Sequence, residues 1–182
     1  MLAQGPKVKA FEAAFARDVG RKHGVAASNG TAALHIALLA HGIKGGQEVL
    51  IPPLTFFATA STALLCGAKP AFADVDRNSY NMDPAKVVAA ITRKTSAIMP
   101  VHLYGQTAEM DPIIAAAKDR GIPIIEDAAQ AHGAEYHGKK AGNLGDDGRV
   151  DVHVPADVAS LTNSRAFPDL GPMPDRGLLS DA

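Results

Sequence analysis

Short apolar runs return about every 25 residues from Glu48 onward, at Glu48–Ile51, Ala71–Val75, Ala97–Val101 and Pro123–Ile125, with helical patterns between them. A gap of that length is too long for a hairpin and suits a crossover helix, so consecutive runs are predicted to pair as parallel strands. The expected fold is therefore α/β: a mostly parallel sheet in a three-layer α/β/α arrangement, with right-handed crossovers. In such sheets the carboxyl ends of the strands border a ligand crevice.

The intervening segments carry their own signals. Val8, Phe11, Phe15 and Val19 share one side of a helix that ends near Gly20 or Gly24, and Val25-Ala26-Ala27 reads as a short strand. Thr31 to Ala40 reads as a helix stopped at Gly42, and Phe57 to Leu65 as one ended by Gly67. Asp83-Pro84 and Asp111-Pro112 each place a carboxylate before a proline, predicting two capped helix starts.

Bulk properties exclude several classes. A chain of 182 residues fits one domain with a substantial core, and its net charge of -1 gives no field for nucleic acid. The single cysteine, Cys66, forbids an intrachain disulfide and suits a reducing compartment, and its apolar surroundings predict a buried helix position. No apolar run approaches the ~20 residues of a membrane span, and the start lacks a signal-peptide layout. The expected location is the cytoplasm. Two domains of texture are expected: residues 1–148, and a divergent, loosely ordered tail over residues 149–182. That tail has no lysine and holds Pro155, Pro168, Pro172 and Pro174 of the 12 prolines.

Chemistry is concentrated at three places. Ile124-Ile125-Glu126-Asp127 sets an acid just beyond a buried apolar strand, where it needs a cap role or a cationic partner; Lys, Arg or a protonated pyridine nitrogen would each serve. Ser28-Asn29-Gly30-Thr31-Ala32 joins a strand to a helix through small residues, with Thr31 near the cap. Such a turn either only starts a helix or also offers its amides to a phosphate. Leu54-Thr55-Phe56-Phe57 follows two prolines; core packing of both rings is the ordinary expectation, and a ring stacked on a planar ligand the alternative. Imidazole is a common acid–base group, but His102 ends a strand, so catalytic, structural and substrate-contact roles all stay open, and His132 and His137 are equally ambiguous. Lys139 and Lys140 read as solvated turn charges. No His, Cys and acid grouping has metal-site spacing, and no Gly-x-Gly-x-x-Gly follows the first strand, which argues against a dinucleotide binder.

In order, Gly5-Pro6-Lys7-Val8, Phe11-Glu12, Ser28 to Leu34, Gly67-Ala68-Lys69-Pro70, Asp74-Val75-Asp76, Tyr80-Asn81, Pro100 to Gln106, Glu126 to Gly133 and Gly142 to Asp146 resemble the DegT/DnrJ/EryC1/StrS nucleotide-sugar aminotransferases. The resemblance spans about Gly5 to Gly148. It implies a PLP-dependent transferase type I fold with an incomplete large domain, and pyridoxal 5'-phosphate (PLP) as cofactor. It also implies a nucleotide-sugar substrate, an amino acid donor and a homodimer, with neither nucleic acid nor membrane as partner. Carried over, Gly30 and Thr31 would give amides to the phosphate with Ala32 beside them. Phe56 would stack on the ring, Asp127 would pair with its N–H, and Gln130 would contact its hydroxyl.

The same resemblance calls for a Schiff-base lysine in a Ser-Phe-x-x-x-Lys-Asn type segment soon after Gly145-Asp146. Here Arg149-Val150-Asp151-Val152-His153 follows, and no lysine comes after Lys140. No residue is assigned the catalytic role. Two readings follow: an incomplete aminotransferase, cut short or completed by another chain, and a non-catalytic remnant serving as a dimerisation or interaction module.

Overall fold

The computed structural model describes residues 5–145, so the tail expected over residues 149–182 lies outside the described residues. The chain opens on α1 (Pro6–Val19), with proline at its first position and Gly20 closing it in the left-handed region at φ 79°. Phe15, Ala16 and Val19 form its buried face. There follow α2 (Gly30–Ala40), β1 (Glu48–Ile51), α3 (Ala58–Leu65), β2 (Lys69–Phe72), α4 (Pro84–Ala90), β3 (Thr95–Ile98) and α5 (Met110–Lys118). A small hairpin, β4 (Glu135–Tyr136) and β5 (Lys139–Lys140), comes last.

The sheet is parallel in order β2-β1-β3, with Glu48 opposite Lys69 on one side and Thr95 on the other. Parallel bridges Ile98 to Ile124 and Val101 to Asp127 extend it by one further extended segment. Side chains in a strand alternate faces, and the two cores follow that alternation. Val49, Ile51, Ala97, Met99 and Ile125 pack with α2 and α3 on one side. Leu50, Ile98 and Ile124 pack with Val87 of α4 and Met110, Ile113 and Ala117 of α5 on the other. This is the three-layer α/β/α arrangement. Leu50 and Ile98 are fully buried, and truncating either to alanine costs about 2–5 kcal/mol in a core of this kind.

Several boundaries differ from the sequence expectation. Val25-Ala26-Ala27 is in no strand: Ala26 N–H donates to Glu12 Oε1 of α1 at 2.9 Å, so a helix side chain takes the bond a neighbouring strand would have taken. β2 begins and ends earlier than Ala71–Val75, because pairing with β1 sets its span, and Val75 bridges antiparallel to Met82 instead. Asp83 caps α4 as expected, accepting from Ala85 N–H at 2.8 Å. Asp111 caps nothing: α5 starts two residues earlier, at Met110, with Glu109 at its cap position. Cys66 is half-buried at the end of α3 rather than inside it, and burial raises its thiol pKa. Among the described residues no helix is long and apolar enough to cross a membrane, and no cluster of three or more His, Cys, Asp or Glu side chains is placed to hold a metal ion.

Candidate functional site

The carboxyl ends of β1 and β3, the segment ending at Asp127 and the start of α2 meet around a pocket of about 310 Å³, within the ordinary range for small-ligand sites. Its wall includes Gly30, Thr31, Thr55, Phe56, Asp127 and Gln130. Five of the residues proposed from sequence, Gly30, Thr31, Phe56, Asp127 and Gln130, are thus brought together. Ala32 is not in the wall, and its N–H is committed to the side chain of Asn29 at 2.9 Å.

Asn29 is the cap residue of α2, and Thr31 lies near it as the second residue of the helix. Its side chain satisfies one amide of the first turn, while those of Gly30 and Thr31 donate to no described group. Amides left over at a helix start carry the positive end of its dipole, which favours an anion.

Asp127 is only 6% exposed at the pocket floor. Its backbone is clamped: N–H to Pro100 O at 2.9 Å, and C=O accepting from His102 N–H at 3.0 Å. Its Oδ2 accepts from Thr59 Oγ1 at 2.9 Å and its Oδ1 from Ala129 N–H at 3.3 Å. Burial pushes its pKa up, against the opposing effects of Thr59, Ala129 N–H and His102. Among the described residues no lysine or arginine pairs with it. Of the roles left open by the sequence, a partial turn cap through Ala129 is present, and a Lys or Arg partner is not found among the described residues.

Phe56 and Phe57 are 70% and 71% exposed, so neither packs in the core as expected. The prolines and Leu54 carry the chain over the strand end, and both rings are left exposed, Phe56 in the pocket wall. Gln130 stands at the exposed rim, its backbone held by Gly105 N–H at 3.0 Å.

His102 is fully buried between Glu126 Oε2 at 2.9 Å and the N–H of Ala108 at 3.0 Å, which gives it a structural place. The His132 ring meets Phe15 edge-on, and burial, partly offset by Asp18, lowers its pKa. His137 is exposed in the hairpin turn, 3.5 Å from Asp111. Lys140 is not a solvated turn charge: its Nζ pairs with Asp18 at 2.7 Å and ties the hairpin to α1. Thr55 and Thr59 were not singled out from sequence; their only signal is a four-residue spacing.

A profile of the family described as DegT/DnrJ/EryC1/StrS aminotransferase matches residues 1–150. The chain belongs to that family. It is 54% identical over 136 residues to the GDP-perosamine synthase of Caulobacter vibrioides, covering 75% of this chain and 37% of that protein. An aminotransferase structure from Psychrobacter cryohalolentis superposes with TM-score 0.76 at 42% identity, over 78% of this chain and 36% of that one. A GDP-4-keto-6-deoxymannose-3-dehydratase with a trapped PLP-glutamate geminal diamine gives TM-score 0.74 at 31% identity, over 78% and 38%. The chain therefore spans under two-fifths of the length of these relatives, in the α/β fold of PLP-dependent transferase type I.

Proposed function

We propose that this chain is the PLP-binding part of a nucleotide-sugar aminotransferase, of the kind that converts a sugar keto group to an amine with an amino acid donor. The observation that carries the reading is Asp127: a buried carboxylate without a described cation, facing a pocket that also holds free helix-start amides and an exposed aromatic ring. Phosphate, ring face and ring nitrogen need three different kinds of group, and all three are present.

In this reading Gly30 and Thr31 hold the phosphate through their N–H groups, with Ala32 behind them supporting the turn through Asn29. Phe56 covers one face of the ring. Asp127 keeps the proton on the ring nitrogen, and Gln130 reaches the ring hydroxyl from the rim. When bound, PLP supplies a ring that accepts electrons from a developing carbanion. None of the wall residues is a lysine, so the proton-shuttling amine comes from outside the described residues or from a second chain. The described residues 5–145 belong to the cofactor-binding domain. The protein works in the cytoplasm, as a homodimer.

A second reading, a non-catalytic interaction module, is favoured by the exposed apolar side chains Phe56, Phe57, Leu64 and Leu65 together with the missing lysine. Fluorescence titration of the full chain with PLP separates the two. The cofactor reading expects saturable binding that is weaker for pyridoxal, which lacks the phosphate, and that inorganic phosphate competes away. A stable dimer that binds no PLP supports the module.

A further inference from the structure

Thr59 is fully buried in the first turn of α3. A buried helical threonine ordinarily spends its hydroxyl on the carbonyl one turn back, as Thr62 does on Ala58 O at 2.9 Å. Thr59 instead turns across to Asp127 Oδ2 at 2.9 Å, and its other neighbour is Thr55 Oγ1 at 2.8 Å. A hydroxyl has one proton and an ionised carboxylate only accepts, so Thr59 donates to Asp127. Thr55 must then donate to Thr59. A directed chain of two hydroxyls runs from the pocket wall to the acid at its floor.

We propose that Thr59, oriented by Thr55, is a positioning residue that fixes Asp127 Oδ2 and turns the remaining lone pairs of the carboxylate toward the pocket. This deepens the PLP reading and rests on it: a donor to the carboxylate stabilises its ionised form, and so biases the proton shared with a pyridine toward nitrogen. The neighbouring charges leave this task to the hydroxyls. Glu126, the preceding residue, is turned to the Gly142–Gly145 loop, where three amides and His102 use its oxygens. His102 makes no hydrogen bond to the Asp127 carboxylate, its ring nitrogens being taken by Glu126 and Ala108.

The test compares the full chain with Thr59→Val, which keeps the shape and loses the hydroxyl, Thr59→Ser, which does the reverse, and Thr55→Val. Two readouts are taken: the 13C titration of the Asp127 carboxyl without cofactor, and the 15N shift of the ring nitrogen in labelled PLP. Thr59→Val is expected to raise the carboxyl titration by about one pH unit and weaken PLP binding about tenfold, as for loss of one hydrogen bond to a charged group. The 15N shift then moves toward the deprotonated ring. Thr59→Ser restores both readouts, and Thr55→Val gives a smaller change of the same sign. If Val and Ser behave alike, or if Thr59→Val leaves the carboxyl titration where it was, the proposal is overturned. A wild-type chain that binds no PLP overturns the cofactor reading instead, and the carboxyl titration then decides the role of Thr59 by itself.

Discussion

His102 Nε2 stands 2.9 Å from Glu126 Oε2, with 0% and 5% of the two side chains exposed. Because His102 Nδ1 accepts the N–H of Ala108, the hydrogen-bond network assigns the ring proton to Nε2, which donates to the carboxylate. The same carboxylate accepts from Gly142, Leu144 and Gly145 N–H at 2.6–2.7 Å. Adjacent acids thus have opposite tasks. Glu126 ties down the Gly142–Gly145 loop, and Asp127 faces the pocket.

Glu126→Gln puts an amide NH2 where two donors converge, and is expected to cost about 3 kcal/mol in denaturant unfolding. The pH dependence follows from the charge. Burial pushes the Glu126 carboxyl up, but His102 and the loop amides outweigh it, so its folded pKa lies below the ordinary value of 4.5. Its stabilisation is therefore complete above that value and lost as pH falls through the lower folded one. Wild type loses stability along this acid limb, and Glu126→Gln shows a flatter one.

Asp127 has the opposite sign. Its folded pKa is raised, chiefly by burial, so the protein without cofactor loses stability as pH climbs from the ordinary 3.8 toward the raised value. Asp127→Asn removes the buried charge while keeping an oxygen for Thr59. The variant is expected to be about 1 kcal/mol more stable than wild type at pH 7 without cofactor, a gain of a few degrees in melting temperature. No gain, or a loss, would show that the carboxylate is well satisfied by the protein alone.

Phe56 and Phe57 share their exposure but not their position, since only Phe56 lines the pocket. Phe56→Ala is expected to weaken PLP binding about fivefold to tenfold, the value of one ring-stacking contact, and Phe57→Ala to leave it unchanged. Both variants should stay within about 0.5 kcal/mol of wild-type stability, because neither ring supports the core. Equal effects on binding would remove Phe56 from the site.

The layers were legible because alternation and spacing are backbone properties: Val49 and Ile51 against Leu50, and Ile125 against Ile124, are written directly in the order of residues. What depended on partners was not. Nothing local tells Val25-Ala26-Ala27 that Glu12 will take the bond of Ala26. Asp111-Pro112 looks like a cap, but the helix starts two residues earlier, at Met110, and leaves its carboxylate unused for capping. Phe56 and Phe57 read as core by composition, yet the preceding prolines lead them over the end of β1. At the site, acid, small-residue turn and aromatic ring were each recognisable by type. Thr59 was not, since a threonine in an apolar helix gives no sign of facing a carboxylate 68 residues away.

The central claim is tested most directly by titrating wild type and Asp127→Asn with PLP at pH 7, following absorbance or fluorescence. Removing one partner of a buried charge pair is expected to weaken binding about a hundredfold while the variant stays folded. Equal affinity for the two chains would contradict the pairing of Asp127 with the ring nitrogen, and with it the functional assignment of the pocket.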